Sequence, residues 1–118
     1  MSQRPRIRVL VAEDAPTVRN ALEALVRSEQ RLELAAAVGD ASSAIEAAGR
    51  ERPDVALVDV RMPGGGLQAA REIRNCSPET KVIVFTNKLS APRMARLNDH
   101  PELSLWKADR SVRIYLLQ

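Results

Sequence analysis

Five short apolar runs divide the chain, and each is closed by polar or turn residues. Ile7-Arg-Val-Leu-Val-Ala12 ends in Glu13-Asp14, Leu32 to Val38 ends in Gly39-Asp40, and Val55-Ala-Leu-Val58 delivers Asp59. Lys81-Val-Ile-Val-Phe-Thr86 and Leu103-Ser-Leu-Trp-Lys107 complete the set, with Thr86 and Lys107 at their ends. Runs this short, apolar and partly β-branched predict strands buried on both faces of a parallel sheet.

Between the runs the period changes to that of a helix. Pro16 suits a first turn, and Val18, Leu22, Leu25 and Val26 follow as one buried stripe. Asp40 or Ser42 caps a second helix with Ala44, Ile45 and Ala48 inward; Gly49 lies near its end and Pro53 prevents its continuation. Leu67, Ala70 and Ile73 mark a third helix, which Ser77-Pro78 ends, and Pro92 to Asn98 is a short fourth. Ser111 to Leu117 is open to two readings: a short or irregular last helix, or an extended segment, since Val112-Arg-Ile-Tyr-Leu alternates. Strand then helix, five times over, predicts an α/β fold with a parallel sheet, helices on both faces and right-handed crossovers. At 118 residues the chain makes a single domain, 1–118.

Composition narrows the function. Hydrophobic residues at 45% and charged residues at 28% are those of an ordinary globular chain. No apolar run approaches the roughly 20 residues of a membrane span, and the N-terminus has no apolar signal region. Cys76, the single cysteine, excludes an internal disulfide and suits a reducing cytoplasm, where we expect the protein. With His100 it is also too little for zinc. The net charge of +3 comes from 18 basic residues spread among 15 acids, with 3% aromatics, so this domain is not expected to bind nucleic acid directly.

The strand ends carry the candidate chemistry. In a parallel sheet they share one edge, which brings Glu13, Asp14, Asp59, Thr86 and Lys107 within reach of one another. Three clustered carboxylates repel unless a cation is present, and hard oxygen ligands suit Mg²⁺ better than zinc. A hydroxyl and an ammonium opposite them offer a donor and a positive charge to a phosphoryl group.

With these residues in this order, and with Asp59-Val-Arg-Met-Pro-Gly64 as the strongest local signature, the chain resembles the receiver domain of two-component response regulators. It is most similar to the subgroup joined to a helix-turn-helix output domain. The resemblance covers about Ile7 to Lys107 and implies a flavodoxin-like (βα)5 three-layer sandwich with a five-stranded sheet in the order 2-1-3-4-5, for which a receiver is a standard example. It implies that Asp59 is the phosphoacceptor, taking a phosphoryl group from a sensor histidine kinase. Glu13, Asp14, Asp59 and the backbone carbonyl of Arg61 would hold Mg²⁺, while Thr86 and Lys107 would meet the phosphoryl oxygens. Arg61 and Lys88 flank the site at positions that tune phosphoryl lifetime in the family. A C-terminal DNA-binding output domain in a longer protein is a further expectation, the chain then being an excised N-terminal receiver.

Two departures stand out. The loop after Asp59 is a residue shorter than the common form, with slack from Gly64-Gly-Gly66, and Ser104 stands where receivers carry an aromatic three residues before the lysine. The apolar end Ile114-Tyr-Leu-Leu117 suggests a homodimer through strand five and the C-terminal segment. The alternatives are a receiver-like interaction module that no longer cycles phosphate and, from a different class, a magnesium-dependent phosphohydrolase. The second would need another acid near the nucleophile, where Val60-Arg61 stand instead. We expect no enzyme.

Overall fold

The computed structural model describes residues 5–87, 97, 99–108 and 112–118. Strands β1 (Ile7–Ala12), β2 (Leu32–Val38), β3 (Val55–Asp59) and β4 (Lys81–Asn87) pair in parallel, in the order β2-β1-β3-β4. Helices α1 (Pro16–Ser28), α2 (Ala41–Glu51) and α3 (Gly66–Cys76) are the crossovers. Successive residues of β1 leave opposite faces of the sheet. Leu10 and Ala12 pack with Ala44 and Ala48 of α2 and Ala70 and Ile73 of α3, whereas Val9 and Val11 pack with Leu22 and Val26 of α1. The fold is thus the expected three-layer α/β sandwich.

Local chemistry explains the helix boundaries. Pro16 opens α1, and Asp40 caps α2 by accepting the Ser43 N–H at 2.8 Å. The buried face of α2 is alanine throughout, which lets the helix lie close to the sheet. Ile73 of α3 is fully buried, a contribution of about 2 kcal/mol. In α1 the stripe is narrower than the pattern suggests: Val18, Leu22 and Val26 repeat every fourth residue, and Leu25 is left 63% exposed.

The C-terminal region departs from expectation. Of the expected helix over Ser111–Leu117, the described residues Val112–Leu117 form a strand instead, β6, paired antiparallel with both β4 and β5 (Leu103–Ala108). The sheet order is β2-β1-β3-β4-β6-β5, with β6 inserted between β4 and the fifth strand, in place of the order 2-1-3-4-5. Six residues are too few for a helix to hold without strong packing, whereas a period of two lets Tyr115 bury fully beside Val84 on one face and Ile114 meet Phe85 on the other. The expected helix over Pro92–Asn98 lies outside the described residues, apart from Leu97, which is helical and buried. Among the described residues no second helix joins α1 on its face of the sheet. A groove of about 280 Å³ there is lined by Leu57, Ile83, Phe85, Ile114 and neighbouring apolar side chains.

Candidate functional site

Glu13 follows directly on β1, and its N–H donates to the Val38 carbonyl at 3.0 Å, so the chain is still held to the sheet where the acidic pair begins. Arg19, one turn into α1, places Nη1 at 3.0 Å from the Glu13 carbonyl oxygen and 3.3 Å from that of Asp14. That clamp fixes the backbone of the pair without neutralising its carboxylates. Asp59 ends β3 in register with Phe85, and the Val60 N–H donates to the Phe85 carbonyl at 3.0 Å, where the chain leaves the sheet.

The loop after Asp59 has a steric requirement that its glycines meet. Gly64 and Gly65 have φ of +89° and +92°, which favour glycine. Gly66 has a different role: a Cβ there would lie 1.9 Å from the Asp59 carbonyl oxygen and 2.8 Å from Val60 Cα. The start of α3 is seated directly on the backbone of the candidate nucleophile. The Arg61 N–H donates to Asp59 Oδ1 at 3.1 Å and orients the carboxylate from within the same turn.

Glu13, Asp14 and Asp59 each present a carboxylate oxygen, and these oxygens all lie within 4.8 Å of one another. Glu13 and Asp59 are buried, whereas Asp14 is exposed. The Ala15 N–H donates to Glu13 Oε1 at 3.1 Å, but the buried Oε2 has no hydrogen-bond partner among the described residues. Burial, and then the Asp59 carboxylate alongside, push Glu13 up to about 7. An orphaned buried carboxylate oxygen facing two more acids is a donor set that fits a hard divalent cation.

Thr86 lies in β4, one residue beyond the partner of Asp59, and is 1% exposed. Its Oγ1 is the other buried side-chain oxygen with no partner among the described residues. Lys107 is placed differently. The row across the sheet runs Asp59, Phe85, Ile114, Lys107, so β6 intervenes and Lys107 stands on the exposed edge strand. Three strand spacings separate its backbone from that of Asp59, about 14 Å. Its Nζ lies 6.0 Å from the centroid of the Trp106 ring, itself 64% exposed and outside the core.

The structure thus gathers the three acids and sets Thr86 in the next strand, with Lys107 a strand further out than a five-stranded order puts it. Ser104, where an aromatic was looked for, is exposed and pairs with Leu116. Two residues that the sequence did not place beside the fourth strand occupy the column next to β4. Arg113 is opposite Thr86, and Tyr115 is opposite Val84. The alternation of Val112 to Leu116 was the available signal. Lys88 lies outside the described residues. His100 is neither free nor near the acids: its Nδ1 lies 3.1 Å from Arg71 Nη2 and 3.3 Å from Glu102 Oε1.

The sequence and the fold are similar to those of known proteins. Residues 9–100 match the response regulator receiver domain family, and the match stops before β5 begins. The chain is 34% identical over 82 residues to the transcriptional regulatory protein YxjL of Bacillus subtilis, covering 69% of this chain and 38% of that protein. It is 42% identical over 83 residues to protein-glutamate methylesterase/protein-glutamine glutaminase 3 of Myxococcus xanthus, covering 70% of this chain and 23% of that one. The response regulator domain of Thermotoga maritima CheB superposes with a TM-score of 0.67 at 28% identity, over 79% of this chain and 72% of that one. The chain therefore spans well under half the length of the full relatives it matches.

Proposed function

This chain belongs to the receiver domains of two-component response regulators, and we propose that within it Asp59 is the phosphoacceptor, served by Mg²⁺ held at Glu13, Asp14, Asp59 and the Arg61 carbonyl. The observation that carries the proposal is the convergence of three carboxylates with Glu13 Oε2 buried and without a hydrogen-bond partner among the described residues. When bound, the ion supplies positive charge to these acids and to the phosphoryl oxygens. The residues do the rest by position. The Arg61 N–H holds Asp59 Oδ1, so the carboxylate is presented in a fixed orientation. A carboxylate oxygen attacks phosphorus; the P–O bond forms as the P–N bond to the donor imidazole breaks, and the electron pair leaves on that nitrogen. The hydroxyl of Thr86, without a partner among the described residues, is free to donate to a phosphoryl oxygen.

The partner that follows is a sensor histidine kinase as phosphoryl donor. In a longer regulator a DNA-binding output domain would receive the signal, and the receiver would be the kinase's substrate and not an enzyme in its own right. The expected homodimer through strand five and the C-terminal segment narrows to the edge strand β5, where Leu105 and Trp106 are exposed, since the C-terminal segment is β6 and pairs on both sides. Among the described residues no helix is long and apolar enough to cross a membrane, and we place the domain in the cytoplasm with its donor.

Mass spectrometry after incubation with acetyl phosphate tests the assignment. A gain of one phosphate is expected with Mg²⁺ and not without it, and none in Asp59→Asn. Equal labelling of Asp59→Asn would overturn the assignment, and no labelling of the native chain would favour an interaction module that no longer cycles phosphate.

A further inference from the structure

We propose that Arg113, and not Lys107, is the side chain whose positive charge meets a phosphoryl group on Asp59. The proposal rests on the phosphoacceptor assignment above and follows from the inserted strand. β6 occupies the column beside β4, and Arg113 is the residue directly opposite Thr86. Opposed residues of an antiparallel pair send their side chains from the same face, with Cβ atoms roughly 5 Å apart. The half-exposed Arg113 therefore emerges beside a buried hydroxyl that has no partner among the described residues.

Arg19 and Lys107 are less well placed than Arg113. Arg19 is engaged with the carbonyl oxygens of Glu13 and Asp14. Lys107 reaches Asp59 only by lying flat across Phe85 and Ile114, and its ammonium stands by Trp106 instead. Arg113 is two strand spacings from Asp59, about 10 Å between backbones. It also carries the longer, forked head that engages two phosphoryl oxygens at once. Asp59 lies in the row of Phe85 and Ile114 and so leaves the other face of the sheet; a phosphoryl group carried on it would rise beyond the strand ends, where side chains of the two faces can meet. Thr86 and Arg113 would close on it from the same side.

The test is titration with beryllofluoride in the presence of Mg²⁺, followed by ¹⁹F NMR, with acetyl phosphate labelling rates measured in parallel. Arg113→Gln should weaken beryllofluoride binding by about tenfold to a hundredfold, the value of a charge-assisted contact. It should leave Mg²⁺ affinity nearly unchanged, which also reports that the acidic site is folded. Arg113→Lys should recover part of the loss, and Lys107→Ala should have little effect. The proposal is overturned if Lys107→Ala causes the loss and Arg113→Gln does not, or if Arg113→Gln weakens Mg²⁺ and beryllofluoride equally. A native chain that responds to neither reagent overturns the phosphoacceptor assignment first, and this proposal with it.

Discussion

The stretch from Ile7 to Asn87 and the stretch from Leu103 to Leu117 build one sheet by different means. In the first, four parallel strands are joined by three helical crossovers, and β1 and β3 lie between two neighbours. In the second, two antiparallel strands finish the sheet, and β5 is exposed along nearly its whole length. The acids that define the site belong entirely to the first stretch, and Arg113 and Lys107, on the sheet's far side, belong to the second. The arrangement of the three carboxylates is therefore independent of which strand lies beside Thr86. The carboxylates depend on β1 and β3, and neither strand pairs with β5 or β6.

The comparison breaks most easily at Tyr115. Its ring is 1% exposed in the core shared by β4, β6 and α3, so Tyr115→Ala should cost about 3–5 kcal/mol in urea unfolding. A loss below about 1 kcal/mol would mean that the last segment does not pack on β4. The first stretch has its counterpart in Gly66. Because a Cβ there meets the Asp59 carbonyl at 1.9 Å, Gly66→Ala should cost about 2–3 kcal/mol and weaken Mg²⁺ binding as Asp59 shifts. Gly49→Ala, in α2 with nothing within 4 Å of the added methyl, is the control and should stabilise by about 0.5–1 kcal/mol.

What the sequence disclosed follows the same division. β1 and β3 were legible as apolar runs because central strands of a parallel sheet cannot hide among polar residues, and β2, an edge strand with no fully buried residue, was legible from its apolar composition alone. Glu13, Asp14, Asp59 and Thr86 were legible because the ends of such strands share an edge. Lys107 was misplaced because strand order is a long-range property: the run Leu103–Lys107 looks the same whether it lies beside β4 or one strand out. The alternation in Val112–Leu116 was visible but competed with a helical reading of the same residues. The three glycines read as slack, since a backbone approach from Asp59 to Gly66 leaves no mark in the local pattern.

Smaller effects sharpen the contrast at the surface. If the exposed edge of β5 is a subunit contact, light scattering over a concentration series should show a mass approaching twice that of the monomer. Trp106→Glu should abolish this without altering Asp59 labelling, and a monomer at every concentration would exclude the contact. The smallest effect expected is at the cap of α2. The Ser43 N–H, and then its hydroxyl, hold the Asp40 carboxyl below its ordinary value, so its folded pKa lies under its unfolded one. That contribution is present above the unfolded value and is lost as pH falls through the folded one. Asp40→Ala should therefore lower the melting midpoint by a few degrees near neutral pH, and the difference should vanish in acid.

The pairing of β4 with β6 is tested most directly by NMR on the labelled chain. We expect cross-strand contacts between the backbones of Val84 and Tyr115 and of Thr86 and Arg113, with slow amide exchange along β6 because it is flanked on both sides. Contacts from β4 to Leu103–Lys107 instead, with helical shifts over residues 112–117, would restore the five-stranded order, return Lys107 to the site and contradict the insertion of β6 beside Thr86.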